Sequence, residues 1–305
     1  MNLVYKDHDI TDYVNITKCV CRNVSCGRAD SMELEFDHAA SWYAWGPKED
    51  DTIIGSLEGF TTGKMFLNAV MPEGDKFRII ATALPSASKR KAWDTYVDMT
   101  LGSIMQRCAA EIGMDGKLYG IDGNIRYPYL TRNYEGCAAF LDRLGRWEGL
   151  AVKAVNGAMR GVSVEYAQGL DAVQNLWIDT KQDGATYTRQ ENKTISALTL
   201  LSPHARVVAS DSNAAYGSSL TISCLPVSDP VQAGRWARGI LLMHNRQQER
   251  LTIRMEFNPS MRAMMRVDID GTTDASGAWI VDEVEHDLVN RTSEIKLVRA
   301  ITTIR

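Results

Sequence analysis

A chain of 305 residues, 45% of them apolar and 24% charged, is long enough for about two or three domains with hydrophobic cores of their own. The formal net charge is −4 and no long run of lysine or arginine occurs, so there is no basic stripe of the kind that grips duplex nucleic acid. The opening residues, MNLVYKDHDI, lack the apolar core of a signal peptide, and no segment reaches membrane-spanning length; both point to synthesis in the cytoplasm.

In that compartment Cys19, Cys21, Cys26, Cys108, Cys137 and Cys224 are expected as free thiols. The first three crowd into TKCVCRNVSCGRADSMELEFDH, which raises the question of a metal site. A soft-ligand site needs about four ligands, usually as two close pairs, and here there is one unpaired triplet. On an extended strand Cys19 and Cys21 share a face, and Asn23 to Gly27 read as a turn. Met32, Leu34 and Phe36 then alternate with Glu33, Glu35 and Asp37, the pattern of a half-buried strand. The triplet reads as sheet filling, since cysteine is among the most buried residue types.

Residues 1 to about 90 read as mostly strand. Trp42, Tyr43 and Trp45 form an irregular aromatic patch ending at Gly46-Pro47. Two short strands follow around the turn Pro72-Glu73-Gly74-Asp75, with Phe77, Ile79 and Ala81 on one face of the second. Lys89, Arg90 and Lys91 beside Trp93 read as a solvated linker with one anchoring aromatic.

The period then changes. Leu101, Ile104, Met105, Cys108, Ala109 and Ile112 fall on one face of a helix, with Thr100 as its N-cap and Gly113 as its stop. A second helix fits NYEGCAAFLDRLGRWEG, with Asn133 as cap and Phe140, Leu141 and Leu144 inward. Residues between the helices read as loop or short strand. Residues 150–166 read as a hairpin turning at Asn156-Gly157, and 167 to about 193 as a connector or exposed arm. Asp229-Pro230 starts a long helix running to about Gln247. Strands follow in LTIRMEF, RAMMRVDIDG, GAWIVDEVEH and EIKLVRAI. The methionines Met243, Met255, Met261, Met264 and Met265 read as adaptable core or subunit interface.

Two segments look alike. GKMFLNAV from Gly63, a turn and FRIIA from Phe77 share their order with GAWIVDEV from Gly277, a longer turn and IKLVR from Ile295. The likeness predicts two copies of one β unit with a helical insertion between them.

The search for chemistry is mostly negative. No nucleophile elbow, phosphate loop or H-E-x-x-H group occurs, and no catalytic, cofactor-binding or metal-ligating residues are assigned. The densest acid–histidine group is Asp282, Glu283, Glu285 and His286. On a regular strand Asp282 and His286 share one face, and Glu283 and Glu285 the other. Paired carboxylates can do acid–base work on a glycan if their environments separate their pKa values; a solvated strand edge or a subunit contact is the bland alternative.

Several of these features together resemble the late control protein D family of contractile phage tails, the baseplate hub proteins related to the hub of T-even phages and to the base of the type VI secretion spike. The family's "tryptophan, T-L, amphipathic helix ending in glycine" element is matched by Trp93, Thr100-Leu101 and Gly113-Met114. Its next element is matched by Asn133, Glu135, Phe140 to Leu144 and Gly149. The C-terminal order is matched by His244-Asn245-Arg246 and by G-x-W-x-V-x-x-V-x-H from Gly277 to His286. Residues 167 to 200 lie outside the resemblance.

The resemblance implies an α+β chain: a first tail-tube-like β-barrel domain over 1–92, an inserted α/β domain with connector over 93–185, and a second tube-like barrel with one long helix over 186–305. It further implies a homotrimer with pseudo-sixfold symmetry that joins the tail tube to a central spike. The expected partners are other copies of itself, the tail tube protein, the spike protein and other baseplate proteins. No specific nucleic-acid sequence, membrane insertion or cofactor is expected. The expected location is the virion tail baseplate of a phage or tail-like particle, after synthesis in the bacterial host cytoplasm. Unlike some hubs, the chain shows no appended lysozyme or peptidase region, so the expected role is structural rather than enzymatic. A tail-associated peptidoglycan- or glycan-cleaving enzyme using the acids at 282–286 is the alternative.

Overall fold

The chain opens with β1 (Asn2–Tyr5), β2 (His8–Asp9), β3 (Asn15–Val24) and β4 (Ser31–Asp37) in a computed structural model that describes residues 1–179, 184–190, 194–214, 217–271 and 274–305. The alternation in β4 buries Met32, Leu34 and Phe36, and Cys21 and Cys19 of β3 stand opposite Met32 and Leu34 in the same core. Those two thiols fill the sheet. The strand continues through Asn23 instead of turning there, because Asn23 pairs across to Val284 far along the chain. Long-range pairing overrides the local turn signal.

The aromatic patch is a short helix, α1 (Ala40–Trp45), stopped by Gly46 at φ 56°. It drives Trp42 into the first core, where the indole stacks on Phe77 at 5.7 Å and meets Tyr5 edge-on at 5.3 Å. Next come β5 (Thr52–Leu57), β6 (Phe60–Thr61), β7 (Met65–Glu73) and β8 (Lys76–Thr82). The β7–β8 turn is tighter than its sequence suggests, since Glu73 already pairs with Lys76 and only Gly74 and Asp75 remain between them.

The middle of the chain holds β9 (Ala92–Thr100), α2 (Leu101–Glu111), β10 (Asp115–Tyr119) and β11 (Arg126–Glu135). It continues with α3 (Cys137–Glu148), β12 (Leu150–Val155), β13 (Ala158–Ser163) and α4 (Val164–Gly169). Thr100 caps α2 as expected, its hydroxyl accepting from the Ser103 amide at 3.2 Å. Asn133 does not cap α3. It lies in β11 opposite Trp93, and Gly136 holds the cap position, so the β9–β11 ladder claims the residues before the helix. Trp93 is likewise a strand residue and anchors no linker: it is 73% exposed and stacks on Tyr134 at 6.0 Å. The β12–β13 hairpin turns at Asn156 (φ 47°) and Gly157 (φ 74°), the two left-handed positions that a two-residue turn of this kind requires.

The last part contains β14 (Gln174–Ile178), β15 (Thr186–Arg189), β16 (Ile195–Ser202), β17 (Ala205–Ser210) and β18 (Ser218–Ile222). After these come α5 (Pro230–Asn245), β19 (Glu249–Glu256), β20 (Arg266–Gly271), β21 (Gly277–Asp287) and β22 (Thr292–Arg299). The stretch read as an arm therefore contributes strands: β14 pairs with β20 and β15 with β19. The parts of that expectation falling on 180–183 and 191–193 lie outside the described residues.

Asp229 caps α5, its carboxylate accepting from the amides of Val231 at 2.8 Å and Gln232 at 2.9 Å. The helix's apolar side, with Trp236 and Leu241, shares one core with Leu144 of α3 and Leu198 of β16. Where α5 crosses the end of α3, Gly239 sits so close that an added Cβ would lie 2.2 Å from the Trp147 carbonyl oxygen. Gly239→Ala is therefore expected to destabilise by about 1–3 kcal/mol through overpacking, outweighing the roughly 1 kcal/mol alanine brings to a helix interior. Urea denaturation of the two proteins measures the difference.

The class is α+β, and the strands reveal an internal repeat. In the first part β3, β4, β8, β7 and β5 lie side by side in that order, every pair antiparallel. In the last part β15, β19, β22, β21 and β20 do the same, again all antiparallel. Chain order matches too: the first, second, third, fourth and fifth strand of each set occupy the same places. The likeness between Gly63–Val70 and Gly277–Val284 falls on the equivalent strands β7 and β21. Both strands carry a bulge at the equivalent residue: pairing shifts between Leu67 and Ala69, around Asn68, and between Val281 and Glu283, around Asp282. The second strands of the two hairpins align two residues away from the sequence likeness, because Ala81 opposes Leu67 where Leu297 opposes Val281.

Candidate functional site

The two β sets meet where β3 lies antiparallel to the end of β21, and this joint is where the sequence placed its densest cluster of acids. Before its bulge β21 pairs with β20, from Gly277 to Ile280; after it, Glu283 to Asp287 pair with Val24 to Val20 of β3. Asp282 is the residue at which the strand changes partner.

The bulge overturns the expected sharing of faces. Val284 and His286 turn into the cores, whereas Asp282 points to the C-terminal end of α5. There the fully buried guanidinium of Arg246 donates to Asp282 Oδ1 at 2.5 Å and to Ser25 Oγ at 3.0 Å. The Ser25 hydroxyl donates to the same carboxylate at 2.5 Å, and the Ser25 amide to the Asp282 carbonyl at 2.7 Å. One bulged residue thus ties together the first β set, the second β set and the long helix. In the other copy Asn68 plays a reduced version of the part, accepting from Lys89 Nζ at 2.5 Å.

The remaining acids are also taken. Glu283 binds Lys296 at 2.9 Å and Arg28, and Glu285 receives Arg22 Nε at 2.6 Å across the ladder. His286 is wholly buried, with Nδ1 2.8 Å from Ser293 Oγ and Nε2 3.3 Å from the Met261 carbonyl. Its ring packs edge-on against Phe60 of the first set at 4.7 Å and against Phe257 at 5.3 Å. Burial pushes its pKa down to about 4, and the nearby Arg262 cation adds to that, against the hydrogen bond that the ring donates to the Met261 carbonyl. A neutral, buried imidazole and carboxylates already held by cations are the chemistry of a strut. A glycan-cleaving pair needs two free carboxyl groups flanking the scissile bond; Glu285 borders an open cleft of about 490 Å³ with Asp287 and Glu294, but its carboxylate is the one held by Arg22.

A second tie links the insertion to the first β set. Lys153 of β12 and Asp30, both buried, lie 3.2 Å apart, and Asp30 also accepts from the Val24 amide at 2.8 Å. Burial drives the carboxyl up and the ammonium down, each opposed by the other's charge. A cleft of about 440 Å³ runs beside α5 and contains Glu148, Glu165, Arg235 and Arg238. Its carboxylates are engaged: Glu148 accepts from Trp236 Nε1 at 2.6 Å and from Tyr127 OH at 2.7 Å, and Glu165 pairs with Arg238 at 3.4 Å. Among the described residues no group of three or more His, Cys, Asp or Glu side chains is placed to hold a metal ion.

The basic partners Arg22 and Arg28 and the hydroxyl of Ser25 escaped the sequence reading, and Arg246 entered it only through the His244-Asn245-Arg246 match, with no role as a partner of the acids. Only the matched polar positions Asn68 and Asp282 in the two copies of the β unit could have signalled them.

No family model and no curated protein sequence matches the chain. Solved structures do. The crystal structure of the 43 kDa tail protein of prophage MuSo2 from Shewanella oneidensis superposes with a TM-score of 0.77, at 12% identity, over 98% of each chain. The chain has the fold of phage tail proteins. A tail protein from Neisseria meningitidis MC58 gives a TM-score of 0.75 at 11% identity, covering 98% of this chain and 95% of that one. A type VI secretion component of E. coli, described as structurally similar to tail proteins of bacteriophage T4, gives 0.59 at 11% identity over 95% of this chain and 74% of its own. No helix among the described residues is long and apolar enough to cross a membrane.

Proposed function

We propose that the chain is a structural hub protein of a contractile phage tail or tail-like particle. Three copies form a ring of six similar β units that joins the sixfold tail tube to the threefold central spike. The units are tube-like barrels, one over 1–92 and one within 186–305, with residues 93–185 inserted between them and the long helix resting on the insertion. The partners are further copies of the chain, the tail tube protein, the spike and other baseplate proteins, in the baseplate of the virion. The role needs no catalytic residue and no cofactor.

The observation that carries this reading is the repeated strand order. Two equivalent five-strand sets joined edge to edge within one chain are what a trimer needs to present six like faces to a sixfold partner. The full-length likeness to tail proteins supports the setting. Mass photometry is expected to show a species of three times the 33.9 kDa chain mass, alone or with tube and spike proteins. A persistent monomer in their presence would remove the hub reading.

A further inference from the structure

The joint inside the chain has a counterpart that is left open. After Asp282, β21 gives up β20 and takes β3 on the same side. Its equivalent β7 pairs with β5 through Met65 and Phe66, passes its own bulge at Asn68, and then carries β8 on one side only from Ala69 to Glu73. The equivalent of β3 is β15, which pairs with β19 on one side and, among the described residues, with no strand on the other. Among the described residues each chain thus has one used joint and the two unused halves of a second.

We propose that β15 of one copy pairs antiparallel with residues 69–73 of β7 in the next copy, repeating between chains the joint that β3 and β21 make within one. The inference rests on the trimeric reading and names its contact. The register follows from the repeat. Cys21 opposes Met32, and Met32 opposes Ala81; in the second set Tyr187 opposes Leu251, and Leu251 opposes Leu297. Tyr187 therefore holds the place of Cys21, and Thr188 that of Arg22. Across the joint Arg22 faces Glu285, so Thr188 faces Met71, Arg189 faces Val70 and Tyr187 faces Pro72.

The hydrogen-bond parity is also set. Leu288 donates to the Cys19 carbonyl at 2.9 Å, which makes His286 and Cys21 a hydrogen-bonded pair and leaves Arg22 and Glu285 in the closer, non-bonded kind of position. Carried over, Val70 offers both its amide and its carbonyl to Arg189, whereas Pro72 offers its carbonyl alone. A proline on an open edge limits what else can add to it. Thr186 and Thr188 of this edge strand are exposed. The contact is head-to-tail. Two such steps per chain, one internal and one external, close after three chains if both turn the chain equally about one axis.

Paired cysteines test it in the full-length chain, with the exposed Cys224 replaced by serine. Thr188→Cys with Met71→Cys places the thiols in the non-bonded position, where opposed side chains come closest. Mild oxidation is then expected to shift the chain from monomer to covalent dimer and trimer on a denaturing gel, reversed by reductant. Arg22→Cys with Glu285→Cys, the same pair in the internal joint, is the control and closes within one chain. Trimers by mass photometry that fail to cross-link at 188 and 71, while the control closes, overturn this pairing and leave the ring standing. Monomers throughout, with tube and spike proteins present, overturn the ring as well.

Discussion

Asp282→Ala is expected to lower the unfolding free energy by about 3–5 kcal/mol, because it strands the Arg246 guanidinium in the interior without its counter-charge. Arg246 is 1% exposed and its Nε already lacks a hydrogen-bond partner, so few alternatives remain for the charge. The variant also removes the acceptor of the Ser25 hydroxyl, and with it one tie between the two β sets. Two further variants separate charge from contact. Asp282→Asn keeps an acceptor oxygen and should cost less. Arg246→Met removes the buried cation with its partner in place, leaves a part-exposed carboxylate that water can reach, and should also cost less than Asp282→Ala. Urea titrations rank the three. The same residue decides the rival reading: if Asp282 worked as a catalytic acid or base, Asp282→Asn would keep its stability and lose clearing in a peptidoglycan zymogram. Loss of stability with no clearing by either protein is the expected pattern.

What the sequence revealed, and what it hid, follows from whether the cause was local. The strand over Met32 to Phe36, the Thr100 and Asp229 caps and the Asn156-Gly157 turn each depend on a few adjacent residues, and all formed where expected. The likeness between Gly63–Val70 and Gly277–Val284 was legible because a bulge at an equivalent place asks for the same spacing of apolar and polar residues. Its consequence was hidden, since a one-residue bulge at Asp282 reverses which side chains share a face, and nothing in a strictly alternating reading predicts that. Asn133, a good cap by composition, was taken by a ladder to Trp93 some forty positions earlier in the chain. The stretch from 167 looked like an arm because its strands β14 and β15 are short and polar outward; they are strands only through their partners β20 and β19. The joint itself depends on Arg22, Ser25 and Arg246 meeting residues from 282 to 285, a contact that no window along the chain contains.

Acid should loosen this joint through one group. His286 has a folded pKa of about 4 against an ordinary 6.5, so below pH 6.5 the unfolded chain takes up a proton that the folded chain refuses. Its contribution is fully present above that value and is lost as the pH falls toward 4, to a total of about 3 kcal/mol. Carboxylates held low in the fold act later: Lys18 and Arg78 hold Glu33 below its ordinary 4.5 despite its burial, and Tyr5 and Lys6 do the same for Asp51 below 3.8. Asp30, driven up by burial, moves the other way, and it is unchanged by a substitution at 286. His286→Asn keeps a polar partner for the Ser293 hydroxyl and has no proton to gain, so the wild-type protein should lose stability between pH 6.5 and 4.5 much more steeply than the variant. Parallel curves over that interval would mean that the imidazole is not shielded as its contacts with Phe60, Phe257 and the Met261 carbonyl imply. A charge forced between those rings lies beneath the β3–β21 ladder and beside the first set's Phe60, so acid acts on the contact that joins the two β sets before it reaches either set's own core.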